Sequence, residues 1–184
     1  MPVYRIPPQP ELAPDPAAPP DPARLVCGLA ASLSYGKWTL EELQICARAA
    51  QEAAPVPMRR NHQQDLHVSG GVAFTDTGRW LRFAAVPGTG DGFPGGLVTL
   101  GEVYPVSAGL LRAMAIGQWM CLSIRGEEER VLSDPADWPG ILRLSEVSLV
   151  DHIGNQADPD ALVLGSGPGA LTVWELLTGQ PADL

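Results

Sequence analysis

A chain of 184 residues with ordinary apolar content has room for one domain with a substantial core. Its formal net charge of −9 speaks against sequence-independent binding to nucleic acid, which depends on neutralising phosphates; Arg59-Arg60 is the only local basic candidate. Cys27, Cys46 and Cys121 form no CxxC pair, no Cys/His spacing suits zinc, and no apolar run approaches the roughly 20 residues of a membrane span.

The cysteines sit in apolar surroundings, which suits buried free thiols in a reducing compartment. No basic-then-apolar leader opens the chain, so no secretory signal is expected. Residues 1–23 carry nine of the nineteen prolines. Proline removes backbone donors and favours extended chain, so this stretch reads as an arm, disordered or extended, without a packed element.

Residues 24–34 are apolar and bounded by turn formers, and read as a strand. Thr39-Leu-Glu-Glu42 has the capping-box pattern, in which a Thr hydroxyl accepts from an early helix N–H. Leu40, Leu43, Ala47 and Ala50 then recur at helical spacing, predicting a helix over 40–53 that Pro55 and Pro57 end. Residues 56–61 read as a short edge strand leading into His62. The apolar runs 68–75 and 79–86 flank Asp76-Thr-Gly78 and suggest a β-hairpin. Residues 87–96 hold five glycines and two prolines and read as a loop. Between this loop and Val106 no element is assigned.

Residues 106–117 show the 3–4 spacing of a helix ended by Gly117. Residues 119–124 and 141–150 read as strands, with 127–140 and 151–160 as loops. Residues 161–164 suit a last strand or a helical turn. Gly165-Ser-Gly-Pro-Gly169 reads as a joint before a short apolar helix over 171–177. This segment is either a docking peptide or a helix completing the core. The domain plan is thus an arm (1–23), a folded domain (24–164), and a Gly-rich joint with a tail (165–184). Short strands irregularly interrupted by two helices favour an α+β fold, a mainly antiparallel sheet or barrel with helices outside.

Ser123, in Gln118-Trp-Met-Cys-Leu-Ser-Ile-Arg-Gly126, is a polar residue inside an apolar strand. A serine hydroxyl becomes a nucleophile only when a neighbouring base takes its proton and a third group orients that base. Only His62, His67 and His152 could supply an imidazole. After Ser123, Arg125 could orient an oxyanion and Gly126 would let backbone N–H groups approach one.

The order of elements, with Arg-Arg-Asn-His62, Cys-Leu-Ser123-Ile-Arg-Gly and Leu144-Ser-Glu-Val-Ser-Leu-Val150, resembles the tailed-phage prohead (capsid maturation) proteases. It is similar, more remotely, to the herpesvirus assemblins. The likeness spans roughly residues 24–160. In that family an L-x-E-V-S-L-V segment follows a nucleophile segment that usually reads S-I/F-G-F, where this chain has Ser123-Ile-Arg-Gly126. The resemblance implies a herpesvirus-protease-like β-barrel wrapped by a few α-helices. It implies Ser123 as nucleophile, His62 as general base, and Glu146 as the group orienting His62, with His152 the alternative third member because the assemblins use a second histidine there. It also implies a serine endopeptidase, working without cofactor or metal, that cuts scaffold segments and extensions of the major capsid protein inside the immature virus head in the host cytoplasm. No nucleic-acid or membrane partner is expected, and a homodimer is implied by the assemblin likeness alone. The alternative is a capsid-associated structural protein that keeps the protease fold without catalysis.

Overall fold

The computed structural model describes residues 17–62, 67–69, 72–74, 76–115, 117–118, 120–129, 141–150 and 158–184. Seven strands form one sheet: β1 (Leu25–Ser32), β2 (Val56–Arg60), β5 (Gly78–Val86), β6 (Gly96–Val103), β7 (Cys121–Glu129), β8 (Ile141–Val150) and β9 (Val163–Ser166). Their order is β7-β8-β2-β5-β6-β1-β9, and β3 (His67–Ser69) pairs with β4 (Val72–Phe74) in a separate two-stranded ribbon. Among the described residues three α-helices accompany them: α1 (Leu40–Ala53), α2 (Gly109–Ala115) and α3 (Gly169–Thr178). The class is therefore α+β. The sheet is mixed rather than wholly antiparallel, because β2 runs parallel to β8 while its other pairings are antiparallel.

The sheet curls until its two ends approach. Cys121 at the start of β7 bridges to Leu162 just before β9, and Leu122 N–H donates to the Ala161 carbonyl at 2.8 Å. Bulges between Leu29 and Ala31 and between Trp80 and Arg82 increase the local twist that such curling needs. Gly28 sits at the closure. A Cβ there would lie 2.6 Å from Leu122 Cδ1 and 2.7 Å from the Leu162 carbonyl oxygen, so only a glycine lets the strands meet.

Both faces of the central strands are covered. One apolar cluster joins Leu43, Cys46, Met58, Trp80, Leu122 and Leu149 under α1. The other joins Leu25, Leu29, Val98, Leu100, Ala170 and Trp174 under α3. All eight residues of β1 and all eight of β6 are buried as a result. α1 begins as the capping pattern requires, with Thr39 Oγ1 accepting from Glu42 N–H at 3.2 Å.

Several expectations are corrected. The runs around Asp76-Thr-Gly78 are not hairpin partners: β5 pairs with β2 and β6, and β4 pairs with β3. Gly78 opens β5 instead of closing a turn, and a Cβ there would stand 2.2 Å from the Glu102 carbonyl oxygen. The unassigned residues after the glycine loop form β6, one of the central strands. The helix expected over 106–117 is a 3-10 turn, Pro105–Ser107, followed by α2. β7 runs on to Glu129, past the point where a loop was expected, and the rest of that loop, 130–140, lies outside the described residues. Gly165 and Ser166 belong to β9 rather than to a joint, and α3 buries Ala170 and Trp174 against the sheet.

The end of the proline-rich arm is pinned. Asp21 caps a 3-10 turn over Pro22–Arg24. Its own N–H donates to Glu102 Oε2 at 2.6 Å, and Arg79 Nη2 donates to the Ala18 carbonyl at 2.9 Å. Arg79 and Glu102 are themselves a buried ion pair at 3.1 Å. Residues 1–16 lie outside the described residues.

Candidate active site

The parallel pairing of β2 with β8 brings His62 to the site. Met58, Arg59 and Arg60 register with Val147, Ser148 and Leu149. The chain leaves β2 with Asn61 N–H donating to the Leu149 carbonyl at 2.9 Å. It then turns through two successive left-handed residues, Asn61 at φ 52° and His62 at φ 56°. Asn and His are among the non-glycine residues that tolerate this region best. The turn is fixed from β8, because His62 N–H donates to Ser148 Oγ at 3.0 Å.

β7 and β8 supply the other groups. In their antiparallel register Ser123 faces Ser148 and Arg125 faces Glu146. Side chains alternate across a strand, so Ser123 and Arg125 share one face with Glu146 and Ser148. The opposite row, Leu122 with Val147 and Leu149, goes into the core under α1. A polar row and an apolar row on the same two strands thus give the site a rigid backing.

His62 joins the row into one chain of hydrogen bonds. Its Nδ1 lies 2.5 Å from Glu146 Oε1 and its Nε2 lies 2.8 Å from Ser123 Oγ. A carboxylate can only accept, so Nδ1–H donates to Glu146 and the bare Nε2 accepts from the Ser123 hydroxyl. Glu146 is wholly buried, and an isolated buried carboxylate would be very costly. Its compensation is on all sides. Besides the imidazole, Ser148 Oγ donates to Oε2 at 3.2 Å, and the Arg59 and Arg125 guanidinium nitrogens each approach to 3.8 Å. Arg59 is held in turn by Asp76 at 3.3 Å.

Of the residues singled out from sequence, Ser123, His62 and Glu146 are in direct contact. Arg125 is drawn toward Glu146 rather than toward the serine hydroxyl. Gly126 is not brought to the site. It follows three residues along continuous β7, which at about 3.3 Å per residue puts its Cα roughly 10 Å from that of Ser123. The register slip beside it is on β8, where Ser145 is the extra residue and its hydroxyl donates to the Arg125 carbonyl at 2.9 Å. His152 lies outside the described residues. The residue missed from sequence is Ser148. Its one hydroxyl accepts from the His62 backbone and donates to the Glu146 carboxylate. The signal for it was present, since a serine two residues after Glu146 on a strand must share its face.

Beside Ser123 lies a pocket of about 170 Å³, walled by Ala30 and Ala31 of β1, by Lys37 and Trp38 before α1, and by Ile124 and Asp158. Asp158 is buried, and both its carboxylate oxygens are engaged by Ser32, one by the backbone N–H at 2.8 Å and the other by the hydroxyl.

No family model matches the chain, and no curated protein is significantly similar to it. Among the described residues, no helix is long and apolar enough to cross a membrane. Nor do any three His, Cys, Asp or Glu side chains among them gather as metal ligands would.

Proposed function

We propose that the protein is a serine endopeptidase of virus head maturation, cutting scaffold segments and extensions of the major capsid protein. The observation that carries the catalytic part is the bridging imidazole of His62, in hydrogen-bond reach of both the Ser123 hydroxyl and the buried Glu146 carboxylate. The order of groups is that of a nucleophile, a general base and an orienting acid. The viral setting rests on the resemblance of the His62, Ser123 and Glu146 segments to prohead proteases.

In the reaction, Ser123 Oγ attacks the peptide carbonyl carbon as His62 Nε2 takes the hydroxyl proton. Glu146 holds the ring in the required tautomer and stabilises the imidazolium. Collapse of the tetrahedral species breaks the C–N bond, and His62 returns the proton to the departing amine. Water, activated by the same imidazole, then releases the acyl group and restores the serine.

The test has two arms. A fluorophosphonate should label Ser123 of the wild-type protein and leave the Ser123→Ala variant unlabelled. Co-expression with the major capsid protein and scaffold of the same virus should give processed products, reduced by about 10⁶-fold in rate in Ser123→Ala. Equal processing by that variant would overturn the enzymatic reading. Labelling of Ser123 without processing of either protein would overturn the substrate assignment alone.

A further inference from the structure

Resting on that reading, we infer that Arg59 is a positioning residue of the site, anchoring one oxygen of Glu146 so that the other stays on the His62 ring. The two oxygens have different surroundings. Oε1 lies 2.5 Å from His62 Nδ1, whereas Oε2 accepts from the Ser148 hydroxyl at 3.2 Å and faces Arg59 Nε at 3.8 Å. The last torsion of a glutamate is soft and roughly two-fold, so its carboxylate readily turns and exchanges its oxygens. Groups that pull on Oε2 alone oppose that exchange and keep Oε1 for the imidazole.

The backbone explains why an arginine at this position can act on Glu146. β2 and β8 run parallel, with Arg59 opposite Ser148. Residues opposite one another in a sheet share a face, as do residues two apart on one strand, so Arg59, Ser148 and Glu146 stand on one face. Three residues later the same chain delivers His62 to the other oxygen of that carboxylate. Arg59 is itself held. Its Nε donates to Asp76 Oδ1 at 3.3 Å, and its side chain is 22 % exposed. Asp76 stands just before β5, where Thr77 N–H donates to the Met58 carbonyl at 2.8 Å and ties that segment to β2. Asp76 also offsets the charge of Arg59. The guanidinium can therefore orient Glu146 without cancelling the negative charge that stabilises an imidazolium. Arg125 approaches Oε1 at the same 3.8 Å, but its side chain is 60 % exposed, where water screens the pairing. Of the two arginines, Arg59 is the one placed to fix the carboxylate.

The experiment uses the full chain and a fluorophosphonate, with intact-mass measurement of the adduct on Ser123 and urea denaturation of every variant. Arg59→Met should slow labelling by on the order of tenfold, the scale of a slightly misplaced general base. Arg59→Lys, which keeps the charge, should recover most of the rate. Arg59→Gln repeats the comparison if Arg59→Met does not fold. The deciding measurement is a double-mutant cycle with Glu146→Gln. An arginine that works through the carboxylate loses its effect once the carboxylate is gone, so adding Arg59→Met to Glu146→Gln should change the rate by less than about twofold. A tenfold loss in both backgrounds would make Arg59 a purely structural residue and overturn the inference. So would a folded Arg59→Met or Arg59→Gln protein labelled at the wild-type rate, and in either case the catalytic reading stands. If Ser123 of the wild-type protein is not labelled at all, the catalytic reading fails and the positioning role with it.

Discussion

A single hydroxyl, that of Ser148, ties together two things the proposed reaction needs. It fixes the left-handed turn that presents His62, and it helps hold the carboxylate that orients the ring. Glu146 was legible in sequence because it stood in a recognisable segment, and so were His62 and Ser123. For Ser148 the sequence could report only the shared strand face with Glu146; its contact with the backbone N–H of a residue 86 positions away has no local pattern. The two residues should separate in experiment. Glu146→Gln preserves shape but loses the charge that stabilises an imidazolium, so turnover should fall by about 10³- to 10⁴-fold with little change in KM. Ser148→Ala leaves the charge and loosens the geometry. It should lower kcat by about tenfold and reduce stability by about 1 kcal/mol, since a part-buried N–H loses its partner. Ser148→Thr should recover part of both. Steady-state hydrolysis and urea denaturation on the same preparations check the pair, and a kcat for Ser148→Ala equal to wild type would remove the positioning role.

At the scale of elements, legibility followed the covering of faces. α1 was legible to the residue because one face is apolar and the other solvated, and because Thr39 marks its start. β8 was legible because its bounds coincide with a turn-former and a change of polarity. β6 was not seen, because a strand buried on both sides loses the alternation that identifies strands, and its Gly96, Gly101 and Glu102 look like loop residues. Those glycines are there for close approach: a Cβ on Gly101 would lie 2.4 Å from the Arg79 carbonyl oxygen. Pairing partners were the other blind spot, since the sequence around Asp76-Thr-Gly78 suits a tight turn and only the whole sheet reveals that β5 joins β2 and β6. The closure of the curl at Gly28 is the element-scale feature most open to test. Gly28→Val would drive side-chain atoms into the Leu162 carbonyl and Leu122, and neither the backbone atom nor the packed strand can yield cheaply. A loss of more than about 2 kcal/mol is expected by chemical denaturation. Because β7 carries Ser123, fluorophosphonate labelling at temperatures where the variant is still folded should slow as well. A Gly28→Val protein with wild-type stability would mean that the strands do not meet there.

Across the whole molecule, the two apolar clusters lie on opposite faces of one sheet, and each encloses a cysteine thiol. Cys27 belongs to the cluster under α3 and Cys46 to that under α1. Burial pushes each thiol up from 9.0 to about 12, because a thiolate in apolar surroundings is poorly solvated. Burial likewise raises the Tyr104 hydroxyl, with Asp76 and Glu102 adding to the shift and Arg79 opposing it. The consequence for stability has a definite sign. Below pH 9 both folded and unfolded chains keep these protons, so the stabilising contribution is fully present. Above pH 9 the unfolded chain releases thiol protons that the folded chain retains until about pH 12, so stability falls as pH rises through that window. By pH 10 the loss is about 1.4 kcal/mol per thiol, from one pH unit beyond the unfolded value. Urea midpoints measured at pH 8, 9 and 10 should therefore decline for the wild type. The double variant Cys27→Ala, Cys46→Ala starts from a lower midpoint because it leaves small cavities, but its decline should be shallower. The same burial predicts that Cys27 and Cys46 react with a thiol reagent at neutral pH only as fast as the protein opens. Parallel pH slopes for the two proteins would show that the thiols are not sequestered in the clusters. Because one thiol lies on each face of the sheet, single variants with different slopes would tell which face opens first.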